Sequence, residues 1–128
     1  MVLTTPTNTE IQDSNFQGTL KPKDHNNIRI SNHNSCGVTC SSIHSILQDM
    51  NLLEIDIQGL SETNLNTNHY QTRSYLNKAV KKANPTSHTL WSTSDTESIT
   101  TFKPGGTGLI AKGNITRRII HKGRDNLG

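Results

Sequence analysis

Aromatic residues make up only 4% of the 128-residue chain, and hydrophobic residues only 30%. Apolar content in a globular domain normally runs near half, glycine included. The chain is therefore poor in core material for its length. Its two cysteines, Cys36 and Cys40, cannot build the framework of bridges that staples a small secreted domain, and their scarcity points to an intracellular protein. No apolar run approaches the ~20 residues that span a bilayer, so no membrane partner is expected. Residues 1–6 lack the basic start and long apolar core of a secretory signal. Asn114-Ile115-Thr116 fits a glycosylation sequon, but nothing beside it suggests secretion. Trp91, Tyr70 and Tyr75 are too few and too scattered for a base-stacking platform. Trp91 lies in an apolar run and is read as core. The net charge of +3 does not by itself imply nucleic acid.

What is present is a polar leader followed by alternating elements. Residues 1–26 are polar and aperiodic, with Pro6, Gly18 and Pro22 scattered through them, and read as a flexible leader. Residues 27–31 alternate as a first strand, and 32–37 form a polar loop closed by Gly37. Val38, Ile43, Ile46, Leu47 and Met50 fall on one helical face, which predicts a helix over 38–50. A second strand is predicted within 52–60. A second helix is predicted over 69–83, with Tyr70, Tyr75, Leu76, Ala79, Val80 and Ala83 as apolar positions, ended by Asn84-Pro85. Residues 88–93 read as a third strand, 94–103 as a polar connection and 104–106 as a turn. Residues 107–112 read as a fourth strand, Gly113-Asn114 as a hairpin-like turn and 115–121 as a fifth strand. That order argues an α/β fold with a sheet of mixed direction and flanking helices. A helical crossover makes the first two strands parallel neighbours or near neighbours, which brings Asn34 and Glu62, 28 positions apart in sequence, to one edge of the sheet.

Several motifs carry chemistry in principle. Cys36, Cys40 and His44 recur every four residues, with His33 nearby, a spacing that zinc can use. Cys36 precedes Gly37, however, ahead of the helix, and no second cysteine pair exists, so the thiols are read as small buried groups. Gly106-Thr107-Gly108-Leu109-Ile110-Ala111 matches a dinucleotide fingerprint by letter. That fingerprint needs a helix after it, and Lys112-Gly113-Asn114 stops one. From Lys103 onward, Lys103, Lys112, Arg117, Arg118, Lys122 and Arg124 face the single acid Asp125. They are either a solvated strand face or a surface for a phosphate-bearing partner. Glu62 is a carboxylate just past a buried strand, where a rigid sheet holds a loop for chemistry. A hard cation such as Mg²⁺ takes oxygen ligands, which Glu62 and the amide oxygen of Asn34 can supply. Taken alone, Glu62 is an exposed loop acid and Asn34 a turn residue.

Together these stretches resemble the N-terminal part of the endonuclease/exonuclease/phosphatase superfamily, in particular the apurinic-type endonuclease domains of retrotransposon and reverse-transcriptase proteins. The likeness rests first on Asp56-Ile57-Gln58-Gly59-Leu60-Ser61-Glu62-Thr63-Asn64-Leu65, which is similar to that family's metal-binding strand end. Asn34-Ser35-Cys36-Gly37-Val38 resembles its Asn-x-Asn-Gly-apolar motif. Lys103-Pro104-Gly105-Gly106-Thr107-Gly108-Leu109-Ile110-Ala111 is similar to its Gly-Gly-apolar strand, and Gly123-Arg124-Asp125-Asn126-Leu127-Gly128 to the segment beyond it. The resemblance covers residues 27–128. It implies a DNase I-like sandwich of two sheets, of which these residues supply one. It also implies Mg²⁺ (or Mn²⁺) as cofactor, Asn34 and Glu62 as its ligands and the chain's catalytic residues, and the DNA phosphodiester backbone as the partner of a full-length parent. Cys36 stands in place of the motif's second Asn, and Asn32 is a rival for the role of Asn34. The family's later Tyr, Asp-x-Asn and Asp-His motifs are not found beyond the glycine-rich strand. The chain by itself is therefore expected to be an inactive fragment that self-associates through an uncovered sheet face. The alternative is a non-catalytic binding module that uses its basic C-terminal strands.

Overall fold

The computed structural model describes residues 9–10, 19–24, 26–94 and 100–124. Most of the expected leader, part of the 94–103 connection and residues 125–128 lie outside the described residues. Strands β1 (Thr9–Glu10) and β2 (Thr19–Leu20) pair antiparallel over two residues each. The main body follows as β3 (Ile30–Asn34), α1 (Cys40–Leu52), β4 (Ile57–Ser61), α2 (Tyr70–Ala83), β5 (His88–Ser92) and β6 (Thr107–Ala111). These four strands form one sheet in the order β3-β4-β6-β5. β3 runs parallel to β4, as the α1 crossover requires, and β6 lies antiparallel to both β4 and β5. The chain is thus α/β with a mixed sheet and flanking helices. No helix among the described residues is long and apolar enough to cross a membrane.

Local chemistry places the boundaries of α1 two residues later than its apolar periodicity suggests. Thr39 is the N-cap: its hydroxyl accepts from the Ser42 amide at 3.2 Å, and the Ser42 hydroxyl accepts from the Thr39 amide at 2.7 Å. This reciprocal box satisfies two amide donors that a helix start leaves open. At the other end Glu54 takes a positive φ of 53°. The Ile55 amide then reaches back to the Met50 carbonyl at 2.8 Å, the six-to-one bond of a Schellman closure. Residues 52–54 therefore close the helix, and the expected strand over 52–60 narrows to Ile57–Ser61.

The register sorts the sheet into two faces, because paired residues point the same way. Gln58 and Leu60, Gly108 and Ile110, and Thr89 and Trp91 share the face that carries the helices. There Leu60, Trp91 and Ile110 join Ile43, Leu47 and Met50 of α1 and Leu76, Ala79 and Val80 of α2 in one buried cluster. Trp91 is core, as its apolar run predicts. Its indole N–H and the Thr89 hydroxyl both donate to Asn77 Oδ1 of α2, at 2.8 and 2.6 Å. The ring lies flat over Gly108, where an added Cβ would sit 2.5 Å from Cζ3. Glycine is thus required for the close approach of Trp91 to the opposing strand.

Some expectations fail here for physical reasons. The predicted fifth strand over 115–121 is instead a 3₁₀ segment, Gly113–Arg118, followed by extended chain. β6 has β4 on one side and β5 on the other, so no free edge remains for a hairpin partner. Gly113 takes a φ of +76°, and the Thr116 hydroxyl bonds the Gly113 carbonyl at 2.7 Å, which turns the chain away from the sheet. On α2, Leu76, Ala79 and Val80 are buried as expected, whereas Tyr70, Tyr75 and Ala83 are exposed. The Tyr75 hydroxyl meets Cys40 at the start of α1, and this hydrogen bond holds the phenol above its usual range. Gly108→Ala is expected to cost about 1–3 kcal/mol through overpacking against Trp91, measured as a lower urea midpoint with an unchanged m-value.

Candidate functional site

The C-terminal ends of β3, β4 and β5 and the start of β6 meet at one edge of the sheet. The register aligns Asn34 with Ser61, Ser61 with Thr107, and Thr107 with Ser92. These four polar residues form a row on the face away from the helices. The hydroxyl of Ser92 is buried with no hydrogen-bond partner among the described residues. Behind the row, on the same face, Asn32, Gly59, Leu109 and Leu90 align, and then Ile30, Ile57, Ala111 and His88. The character of the face therefore changes from polar at this edge to largely apolar at the other.

Glu62 follows Ser61 directly, with its backbone at φ 52°. A non-glycine residue there is uncommon, and Glu is not among the types that tolerate it well. Two residues on, Asn64 has a φ of 54°. Between them Thr63 is fully buried. This corner is tied on both sides by backbone. The amides of Gly37 and Val38 donate to the carbonyls of Glu62 and Thr63, each at 2.8 Å. The amides of Thr63 and Asn64 donate to the carbonyls of Gly106 and Gly105, at 3.3 and 2.8 Å. Asn64 Oδ1 in turn accepts from the Gly105 amide at 2.9 Å. Gly106, at φ 85°, passes so close that a Cβ would lie 2.6 Å from the Thr63 hydroxyl. The three expected motifs, around Asn34, Glu62 and Gly105-Gly106, are thus three strands of one hydrogen-bonded knot.

The Glu62 carboxylate is exposed, and no hydrogen bond or ion pair from the described residues is assigned to it. Asn34 Oδ1 accepts from the Cys36 amide at 3.0 Å and from the Cys36 thiol at 3.4 Å. This is the turn-capping use of an Asn side chain, and its Nδ2 group takes no part in it. Cys36 has a φ of 47°, a conformation that Asn adopts more readily than Cys. Asn32, the rival of Asn34, pairs with Gly59, and its Oδ1 lies over that glycine, 2.6 Å from where a Cβ would be. Of the two, Asn34 is the residue at the edge beside Glu62.

The zinc spacing does not assemble. Cys36 and Cys40 are free and exposed rather than buried, and no group of three His, Cys, Asp or Glu among the described residues could hold a metal ion. Among the C-terminal cations, Lys103 is buried with its ammonium on the Ser94 carbonyl, so it acts as a loop staple. Lys122 reaches the Thr89 carbonyl at 3.3 Å and Arg124 reaches Asn68 Oδ1 at 2.8 Å. They fold the terminal segment onto β5, where Leu90, Ser92, Thr107, Leu109, Gly123 and Arg124 line a cleft of about 270 Å³.

Sequence reasoning missed Thr63, Asn64, Ser61, Thr107 and Ser92. Asn64 carries the one available signal, since Asn tolerates positive φ and Gly105-Gly106 marks a second such turn.

If Glu62 is held against its backbone preference, Glu62→Gly should stabilise the chain by roughly 0.5–1 kcal/mol, the left-handed cost relieved less the entropy of glycine. Glu62→Ala should give no such gain. Chemical denaturation of the two variants checks this, and a glycine variant less stable than the alanine one refutes it. Comparison with protein-family models, with curated proteins and with solved structures found no match.

Proposed function

We propose that the chain is the N-terminal part of a Mg²⁺-dependent phosphodiesterase domain of the endonuclease/exonuclease/phosphatase type, from a retroelement-like protein acting on DNA. The observation that carries this reading is the Glu62 carboxylate, exposed and without a partner among the described residues. It is fixed by a left-handed backbone at the edge where Asn34 ends the neighbouring strand. In this reading Glu62 supplies a carboxylate and Asn34 an amide oxygen to Mg²⁺ or Mn²⁺, with water completing the shell. Asn34 Oδ1 accepts from the Cys36 amide and thiol, so in this reading the longer thiol contact gives way to the metal. The bound cation would polarise a phosphoryl oxygen and neutralise charge on the leaving oxygen. Water activation falls to Asp and His groups that these residues do not supply, so the chain alone is expected to bind metal weakly and to leave plasmid DNA intact. Mn²⁺ titration tests the ligand assignment. Paramagnetic broadening should centre on the amides of residues 34–37 and 62–64 and disappear in Glu62→Gln. Broadening that persists unchanged in that variant sinks it.

The DNase I-like sandwich belongs to the same proposal. The sheet face opposite the helices leaves Ile30 68% and Leu109 48% exposed, and a second sheet packed there about 10 Å away would cover them. Without it, two copies of the chain would associate through this face. Sedimentation should then show mass rising with concentration, and the double variant Ile30→Lys, Leu109→Lys should hold the chain monomeric. A wild-type chain that stays monomeric at high concentration counts against the missing sheet.

A further inference from the structure

Helix α2 carries a second feature, away from the Glu62 corner. Tyr70, Arg73, Ser74, Asn77, Lys78 and Lys81 line one open groove of about 280 Å³. Their spacing of three, four, seven, eight and eleven residues is one stripe of a helix, about 16 Å long at 1.5 Å per residue. The stripe offers hydrogen-bond donors and almost no acceptors. Arg73, Lys78 and Lys81 are cations. Asn77 Oδ1 is taken by Thr89 and Trp91, which leaves its amide N–H groups as the donors it has to present. Ser74 and Tyr70 add hydroxyls, and the Tyr70 ring is 72% exposed. The sequence has no Asp or Glu between Glu62 and Asp95.

Helix-end electrostatics account for only part of this charge. Lys81 and Lys82 lie in the last turn, where cations complement the helix dipole. Lys81 also ties down the Ser87 and Pro85 carbonyls. Arg73 lies near the opposite end, where the dipole favours acids and the first turn has none. Lys78 lies between, and no contact from the described residues is assigned to its ammonium. A row of cations that ignores the dipole, over a floor of amide donors and with no carboxylate within the stripe, fits a chain of anions.

We propose that this groove docks the phosphodiester backbone of a nucleic acid. By helical rise, Arg73, Lys78 and Lys81 lie about 7.5 and 4.5 Å apart along the axis, so the stripe presents three separate cations to a polyanion over about 12 Å. The site is independent of the metal-ligand reading, because phosphate contacts of this kind give affinity without sequence or metal.

Fluorescence anisotropy of the whole chain, with labelled duplex and single-stranded oligonucleotides in chelator, tests it. Log affinity should fall with log salt at a slope of about −2 to −3, for three phosphates neutralised. Arg73→Gln with Lys78→Gln should flatten the slope by about two and weaken binding on the order of tenfold per contact at low salt. Lys78→Gln alone should give about half that effect, which keeps the test valid if loss of the Arg73 contact to Thr67 unsettles the helix. Lys112→Gln with Arg117→Gln removes equal charge elsewhere and should leave the slope unchanged. Tyr70→Ala separates the two nucleic-acid forms, lowering affinity only for single strands if the ring stacks on bases. Equal losses from the two charge-removing pairs, or no binding at all, overturn the proposal. Displacement of the oligonucleotide by polyglutamate at equal charge concentration also overturns it, and assigns the groove to an acidic protein. The chelator removes any metal held at the Glu62 corner, so the groove and that corner fail separately.

Discussion

Thr63 is the point at which three backbone segments meet, and the polar edge of the sheet depends on that meeting. Its carbonyl accepts from Val38, its amide donates towards Gly106, and its side chain is wholly buried beneath the Gly106 turn. A side chain enclosed this way leaves its two neighbours little choice of conformation. Glu62 and Asn64 both take left-handed backbones, and so do Cys36, Gly37, Gly105 and Gly106 in the segments on either side. Six such residues at one edge is a concentration of conformations that persist only where the surrounding structure over-determines them. Glycine accepts them at no steric cost at Gly37, Gly105 and Gly106. Glu62 gets no such relief, and its backbone is held in place by the bonds to Gly37 and from Thr63 to Gly106 on either side.

The hold extends below the corner. The Thr93 hydroxyl accepts from the Thr67 amide at 3.0 Å and donates to the Leu65 carbonyl at 3.2 Å. Leu65 bridges to Phe102, and the Asn66 amide reaches Thr101 at 2.8 Å. Residues 64–68, an ordinary polar loop by composition, are therefore stitched to the ends of β5 and β6 by buried threonines and asparagines. A buried polar group costs little when it is bonded. The polar residues that make the chain look short of core here act as internal ties.

Much of the fold was legible because its signals were local. The apolar stripe of Leu76, Ala79 and Val80 and the stop at Asn84-Pro85 define α2 almost to the residue. The alternation in Thr107–Ala111 defines β6, and the crossover rule gives the parallel β3–β4 pair. What failed needed non-local knowledge. Residues 115–121 alternate well enough for a strand, but no pattern in them reveals that both edges of β6 are already occupied. The first strand begins at Ile30, later than its alternation, because Arg29 is drawn into other bonds. Its amide donates to Asp56 Oδ2 at 2.8 Å, its carbonyl accepts from Asp56 and Ile57, and its guanidinium reaches the carbonyls of Leu53 and Lys21. Of the candidate site, Asn34, Glu62 and the paired glycines were visible as motifs. Ser61 and Thr107 stand in the same motifs, but their alignment with Ser92 was not visible, because the three come together only through strand pairing.

The low apolar content follows from the architecture. The buried hydrophobic cluster comprises residues of α1, α2, their flanking segments and one face of the sheet. Among the described residues nothing equivalent covers the other face, where the terminal segment crosses β5 through Lys122 and Arg124. A single helix layer on a single sheet needs one apolar side per strand, and β3 hardly has even that: its sequence is Ile-Ser-Asn-His-Asn. Its place in the sheet rests on backbone pairing with β4, on the Arg29 and Asp56 ties before it and on the Thr63 knot after it. An edge strand held by backbone pairing along its length and tied at both ends is free to carry polar side chains. Asn32 and Asn34 are exposed on the face away from the helices, where a polar side chain costs the sheet no packing.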